Sequence, residues 1–172
     1  TVLQATVLTA AVRVGTAGAP SYTKFESQQI HPLALSADGT RLFACNTPDN
    51  RLTIYQVTPG GLAIEAEVPV GLEPISVRPR TPTEVWVVNK VSDDISIVDL
   101  TTMNVRATLQ VGDEPTDVVF AGASGRAFVC VSQLDVVKIY DPLNLGAPPV
   151  SVAVFGNNPR ALATNAAGTK VY

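Results

Sequence analysis

Five polar residues stand at matched places in a recurring pattern and could carry chemistry. Four of them directly precede a recurring proline and the fifth follows the last such proline: His31, Glu73, Glu114, Asn158 and Arg160. If the fold brings them together, carboxylates and an imidazole could bind a cation or a polar ligand, or transfer protons. The alternative, which we favour, is that polar residues there satisfy backbone amides in turns.

The prolines beside these residues recur at a nearly constant interval. Pro32, Pro74, Pro115 and Pro159 are separated by 42, 41 and 44 residues. A fixed period of this size predicts a repeat architecture, and residues 71–112 form one complete copy. Gly71 and Gly112 end successive copies, where we expect a positive φ.

Each copy contains four short blocks rich in Val, Ile, Leu, Thr and aromatic residues. Gly, Pro, Asn and Asp bound the blocks; Asn89 and Asp94, for example, stand between the blocks 85–88 and 95–98. This is a strand–turn pattern, and no apolar stripe with a 3.6-residue period accompanies it. Four strands in about 42 residues predict a propeller blade. The predicted fold class is all-β: a β-propeller of four-stranded blades.

The register divides the chain into a leading segment and three complete blades. Residues 1–31 form a strand and loop segment, with 25–30 as a strand that either closes or caps a ring or belongs to a preceding unit. The blades occupy residues 32–73, 74–114 and 115–158, and residues 159–172 begin a fourth. Because a closed propeller takes about four to eight blades, we expect an incomplete ring here. The expected partners are remaining blades of the same polypeptide or other protein chains.

Aromatic residues and cysteines fall at matched places within the predicted strands. Phe43, Trp86 and Phe128 share one position, and we expect them to pack between blades. Cys45 and Cys130 each lie two residues after an aromatic of this set. Because their blades are not adjacent, we predict two buried free thiols rather than a disulfide.

Several segments resemble the YVTN β-propeller repeat. Residues 43–46 (Phe-Ala-Cys-Asn) and 86–89 (Trp-Val-Val-Asn) resemble its Tyr-Val-Thr-Asn signature, and the Val-Gly-x-x-Pro junction occurs at 70–74 and 111–115. The resemblance covers residues 32–172. The chain departs from the pattern at Gln28-Gln29, Gln56 and Val131. The resemblance implies a bacterial or archaeal protein in an exported, periplasmic or cell-surface setting.

Composition excludes some function classes. The chain is 46% hydrophobic and 16% charged, with a net charge of −3 and no Lys/Arg cluster. Nucleic acid is therefore not an expected partner, since phosphate binding needs a basic face. The sequence contains no run of roughly 18 apolar residues, so no membrane-spanning helix is predicted. The start lacks a basic region and an initiator Met, which we interpret as a processed or internal end.

No cofactor or metal is predicted for this segment. His31 is the single histidine, which excludes a multi-histidine copper or zinc site. There is no Cys-x-x-Cys-His motif for haem attachment and no Gly-x-Ser-x-Gly elbow. Asp93-Asp94 and Asp49-Asn50 lack the alternating spacing of a calcium loop.

Three functional hypotheses remain. The first is a non-catalytic binding or scaffold propeller outside the cytoplasm, favoured by regular repeats without a complete catalytic constellation. The second is the N-terminal half of a propeller enzyme, lactonase-like or a periplasmic redox protein, with most ligands elsewhere. The third is a structural subunit of a surface layer or filament, in which neighbours complete the exposed blade edges.

Overall fold

The computed structural model describes residues 27–172, which form three four-stranded sheets. Blade 1 contains β1 (Leu33–Leu35), β2 (Arg41–Asn46), β3 (Arg51–Thr58) and β4 (Gly61–Pro69). Blade 2 contains β5 (Pro74–Thr81), β6 (Glu84–Asn89), β7 (Asp94–Asp99) and β8 (Asn104–Gln110). Blade 3 contains β9 (Pro115–Ala121), β10 (Arg126–Val131), β11 (Val136–Tyr140) and β12 (Val150–Ala153). The predicted all-β class is confirmed.

Within each blade, strands adjacent in sequence pair antiparallel in order. The fourth strand of blade 1 begins at Gly61, and its pairing with β3 contains a register shift between Ile54 and Tyr55. The predicted strand 25–30 lies partly outside the described residues, and its described part, 27–30, is not a strand.

Residues 159–172 begin a fourth blade. Ala163 and Tyr172 exchange two backbone hydrogen bonds of 3.0 and 2.8 Å, and Thr164 bridges Val171. The turn between them contains Gly168 at φ 62°. These contacts are those of a first and second strand at the place where the repeat predicts them.

The hydrophobic cores lie between blades. Successive residues of a strand face opposite sides of its sheet, and hence opposite neighbouring blades. Trp86 of blade 2 packs against Val118 and Val129 of blade 3, and its ring meets Phe120 edge-to-face at 5.3 Å. Phe43 of blade 1 packs against Val77 of blade 2. Both aromatics are fully buried, as predicted.

The third aromatic and the two thiols complete this picture. Phe128 is only half-buried and packs beside Cys130 and Leu162, where blade 3 meets the start of blade 4. Cys45 and Cys130 are buried free thiols, which confirms the prediction. Burial raises the pKa of Cys45 to about 12, so its thiol is inert at neutral pH.

The two junction glycines have different reasons to be glycine. Gly112 has φ 106°, as predicted. The same prediction is wrong for Gly71, which has no positive φ. A Cβ at Gly71 would lie 2.6 Å from Asn89 Nδ2 and 2.7 Å from Asp94 Oδ1, so this position needs space rather than conformational freedom.

The first strands of neighbouring blades contact one another, β1 with β5 and β5 with β9. They therefore form the inner wall of the blade array, which we call the channel wall. In residues 27–172, no helix has the length and apolarity to cross a membrane.

Candidate functional site

Three of the predicted site residues share a left-handed backbone. Their φ angles are 52°, 53° and 54°: Glu73, Glu114 and Asn158. The amide of each donates a hydrogen bond of 2.6–2.9 Å to a side-chain oxygen in the central turn of the preceding blade: Asn50, Asp93 and Asp135. These residues therefore join successive blades through their own backbone amides. The side chains that satisfy amides at these junctions are those of Asn50, Asp93 and Asp135 in the turns, not those of the predicted residues.

The two glutamate side chains are also engaged at the junctions. Glu73 Oε2 accepts a hydrogen bond of 2.9 Å from the Ser27 amide. Glu114 pairs with Lys90 at 3.0 Å. The hydrogen bond from Lys90 lowers the pKa of Glu114, and the charge of the exposed Arg160 adds to this effect. None of Glu73, Glu114 and Arg160 lines the cavity described next.

His31 is the predicted site residue that reaches the channel wall. Its amide donates to Ser76 Oγ at 3.1 Å, and its carbonyl accepts from the Val77 amide at 2.9 Å. These bonds hold the His31 backbone against β5. Its imidazole then extends to blade 3, where Nδ1 lies 2.8 Å from Asp117 Oδ2.

Asp117 fixes the proton position on the His31 imidazole. The Asp117 side chain is fully buried, and its Oδ2 also accepts the Leu162 amide at 2.8 Å. An ionised carboxylate can only accept hydrogen bonds, so Nδ1 of His31 carries the proton. Nε2 is the ring nitrogen away from Asp117, and among residues 27–172 it has no hydrogen-bond partner.

Arg78 lies on the other side of the same carboxylate. Its Nε is buried without a hydrogen-bond partner in the part of the chain that the structure describes. The nearest acid oxygen is Asp117 Oδ1 at 4.0 Å, too far for a hydrogen bond. The guanidinium thus has a partly neutralised charge and an unused donor.

A cavity of about 400 Å³ opens between these two side chains. His31, directly before blade 1, and Arg78 of blade 2 supply polar groups. The other lining residues come from the channel wall of blades 2 to 4: Pro79, Val119, Phe120, Leu162, Ala163 and Thr164. The lining combines polar and apolar surface in similar measure, and polar groups that converge in a concavity are one feature of a small-molecule site. We call this cavity the channel pocket.

Arg78 and Asp117 were not predicted from the sequence as site residues. One signal was available for Asp117: the residues two places after the recurring prolines are Ala34, Ser76, Asp117 and Ala161. An acid among small residues at a channel-wall position marks an exception in the repeat. No comparable signal links Asp117 to His31, because their contact depends on how three blades are arranged.

The pocket has no metal-binding constellation. No group of three or more His, Cys, Asp or Glu side chains in residues 27–172 is placed to hold a metal ion. The absence of a cofactor remains a prediction.

The chain is similar to solved β-propeller structures. Hydrazine synthase from Kuenenia stuttgartiensis matches with a TM-score of 0.73 and 22% identity, over 88% of this chain and 44% of that one. Virginiamycin B lyase from Staphylococcus aureus matches at 0.62 and 12%, over 79% and 45%. A proposed 6-phosphogluconolactonase from Bacteroides fragilis matches at 0.66 and 14%, over 79% and 47%.

These likenesses confirm the β-propeller fold, and they extend to the fold alone at such identities. The chain spans less than half the length of the three structures. No protein-family model and no curated protein matches it.

Proposed function

We propose that the chain is a non-catalytic β-propeller module that binds and scaffolds outside the cytoplasm and closes its ring with further blades. Those blades come from the same polypeptide or from other protein chains. The exposure of one apolar face carries this proposal.

The face of blade 1 that points away from blade 2 is apolar, and no part of residues 27–172 covers it. Three residues after each recurring proline stand Leu35, Val77, Val118 and Leu162. The last three are 0%, 0% and 6% exposed, since each packs against the preceding blade, whereas Leu35 is 56% exposed. The neighbouring Leu33 is 57% exposed.

A preceding blade is the occupant that fits this face. In blade 2, the side chain in the place of Leu35 meets the strands of blade 1. Burying a leucine stabilises by about 1.5–3 kcal/mol, so covering Leu33 and Leu35 favours ring closure. The extracytoplasmic setting is supported by the YVTN resemblance and the low charge, and fractionation of the native cells tests it.

Thiol labelling tests the closure. A maleimide reagent is applied to the native protein carrying Leu35→Cys, with Leu143→Cys as the control, since Leu143 is 82% exposed in the loop before β12. The buried Cys45 and Cys130 give little background. We expect slow labelling at position 35 and fast labelling at 143. Equally fast labelling at both positions contradicts the proposal.

A second candidate function is a propeller enzyme with acid–base chemistry in the channel. The His31–Asp117 pair favours it, because a buried carboxylate that orients an imidazole is a common way to prepare a general base. This candidate requires that the native protein turn over a substrate and that His31→Ala abolish the turnover while leaving the fold intact.

The mass of the native assembly distinguishes a surface-layer or filament subunit from a closed ring. Ring closure gives a discrete mass, whereas a filament gives an open series of assemblies with ordered strand pairing between chains.

A further inference from the structure

We propose that the stretch of this chain directly before Ser27 docks in a groove between blades 1 and 2, with the side chain of Phe25 as its anchor. The groove, which we call the junction groove, lies where the β2–β3 turn, the β6–β7 turn and the connection from β4 to β5 meet. Its lining residues are Thr47, Pro48, Asn50, Leu72, Glu73 and Val91. The inference goes beyond the proposed function and does not depend on ring closure.

Two apolar side chains of the junction groove are left half-exposed by the part of the chain that the structure describes. Leu72 is 50% exposed and Val91 is 52% exposed. The Val91 amide donates a hydrogen bond of 3.2 Å to the Leu72 carbonyl, which holds the two residues side by side. The volume of about 250 Å³ is smaller than the roughly 300–1,000 Å³ of pockets that bind small molecules. A groove of this size suits a single large side chain.

The next junction, between blades 2 and 3, has polar residues at the two matched places. The residue after the junction glycine is Leu72 at the first junction and Asp113 at the second. The residue two places after the end of the second strand is Val91 in blade 2 and Gln133 in blade 3. The junction itself therefore does not require apolar residues there, and the apolar pair needs a reason specific to blades 1 and 2.

The segment that leads into blade 1 runs along this same junction. The Ser27 amide donates a hydrogen bond of 2.9 Å to Glu73 Oε2, and Gln29 Nε2 donates one of 2.8 Å to Thr47 Oγ1. Both acceptors are lining residues of the junction groove. Residues 27–29 are therefore fixed beside the groove, and the chain before Ser27 starts there.

Phe25 is the residue before Ser27 that suits the junction groove. Two residues of fully extended chain span about 7 Å, so the Phe25 backbone cannot lie farther than that from Ser27. Its neighbours Lys24 and Glu26 are charged. Of these three side chains, the phenylalanine is the one that gains free energy by leaving water, and the groove offers it apolar surface.

Thiol labelling tests whether Phe25 covers the junction groove. A maleimide reagent is applied to the native protein carrying Val91→Cys, with Leu143→Cys as the control at a position that is 82% exposed. We expect labelling at position 91 to be roughly tenfold slower, because the docked segment must leave before the thiol can react. Adding Phe25→Ser should remove this protection at position 91 and leave the rate at position 143 unchanged.

Two results of the labelling would overturn the proposal. Equally fast labelling at positions 91 and 143 would mean that the junction groove is open. Protection at position 91 that survives Phe25→Ser would mean that another occupant fills it, such as a second copy of this chain.

A double-mutant cycle tests the contact itself. Phe25→Ala and Leu72→Ala are made singly and together, and the urea midpoint of each variant is measured. If the two side chains touch, the double variant should be little less stable than Phe25→Ala alone, because Leu72 then has no partner left to lose.

The matched control for this cycle pairs Phe25→Ala with Leu134→Ala. Leu134 is 47% exposed between β10 and β11 and does not line the junction groove, so the two midpoint shifts should add. Additive shifts in both cycles, or no shift from Phe25→Ala, contradict the contact. Neither measurement involves Leu35, so docking and ring closure can fail separately.

Discussion

The faces with which blade 1 and blade 2 meet a preceding blade have matched residues in different surroundings. Val77 on β5 is fully buried against blade 1, whereas Leu35 at the same place on β1 is 56% exposed. Both positions are apolar and both strands pair in the same order. The difference shows that a residue on a blade face is buried only where a neighbouring blade packs against it. The sequence of one blade therefore determines only one side of each interface.

The largest expected effect comes from placing a charge on each face. Val77→Asp buries an unpaired carboxylate between blades 1 and 2 and should lower the free energy of unfolding of the 172-residue chain by about 3 kcal/mol or more. Leu35→Asp is the matched change at an exposed position, and it should stay within about 0.5 kcal/mol of wild type. Urea denaturation followed by tryptophan fluorescence measures both, since Trp86 lies in the adjoining core.

Equal losses of stability in the two aspartate variants would contradict the difference between the two faces. They would show that this chain itself covers Leu35. The same pair of variants in the native closed ring should behave alike, because there a preceding blade covers position 35 as blade 1 covers position 77.

The entry into blade 2 provides a smaller and more local test. Gly71→Val would drive a side chain into Asn89, Ser92 and Asp94, and overpacking of this kind costs about 1–3 kcal/mol. Gly156→Val is the control, because a Cβ there meets nothing within 4 Å, although its φ of 150° adds some strain. Thermal melting should rank Gly71→Val as the more damaging. The opposite ranking would mean that backbone conformation, rather than space, governs the junctions.

The sequence predicted the repeated parts of the molecule better than the exceptions. The proline period predicted four-stranded blades and the start of a fourth blade, and the match of Phe43 with Trp86 predicted that both aromatics pack between blades, because both features depend on contacts that recur. The left-handed φ of Glu73 and Glu114 was not predicted. A non-glycine residue adopts that conformation here because its backbone amide donates a hydrogen bond to an Asn or Asp side chain of the preceding blade.

The channel pocket could be predicted only in part. His31 was identified from its place beside Pro32, but its partner Asp117 lies 86 residues away in the chain. That contact depends on blade 2 placing β1 and β9 at the right separation, and no local pattern encodes this. Arg78 was not predicted because one arginine in a strand is ordinary. It stands out only because its buried Nε has no hydrogen-bond partner in residues 27–172.

The smallest expected effect concerns the pH dependence of blade 2. Burial alone would raise the pKa of Glu84, but hydrogen bonds from Arg80, Trp86 and Arg106 outweigh it and hold the pKa below its ordinary value of 4.5. Ionised Glu84 therefore stabilises the fold above about pH 4.5, and this contribution is lost as the pH falls through the lowered folded-state pKa.

Blade 1 has an arginine, Arg41, where blade 2 has Glu84, so this acid-sensitive contact belongs to blade 2. Glu84→Gln should remove about 1 kcal/mol of stability at neutral pH and flatten the loss below pH 4.5, as measured by urea midpoints across the acid range. Glu67→Gln removes the same charge from an exposed site on β4 and should leave the acid profile unchanged. If both variants flatten the profile equally, net charge rather than the contacts of Glu84 sets the acid sensitivity, and the two blades do not differ in this respect.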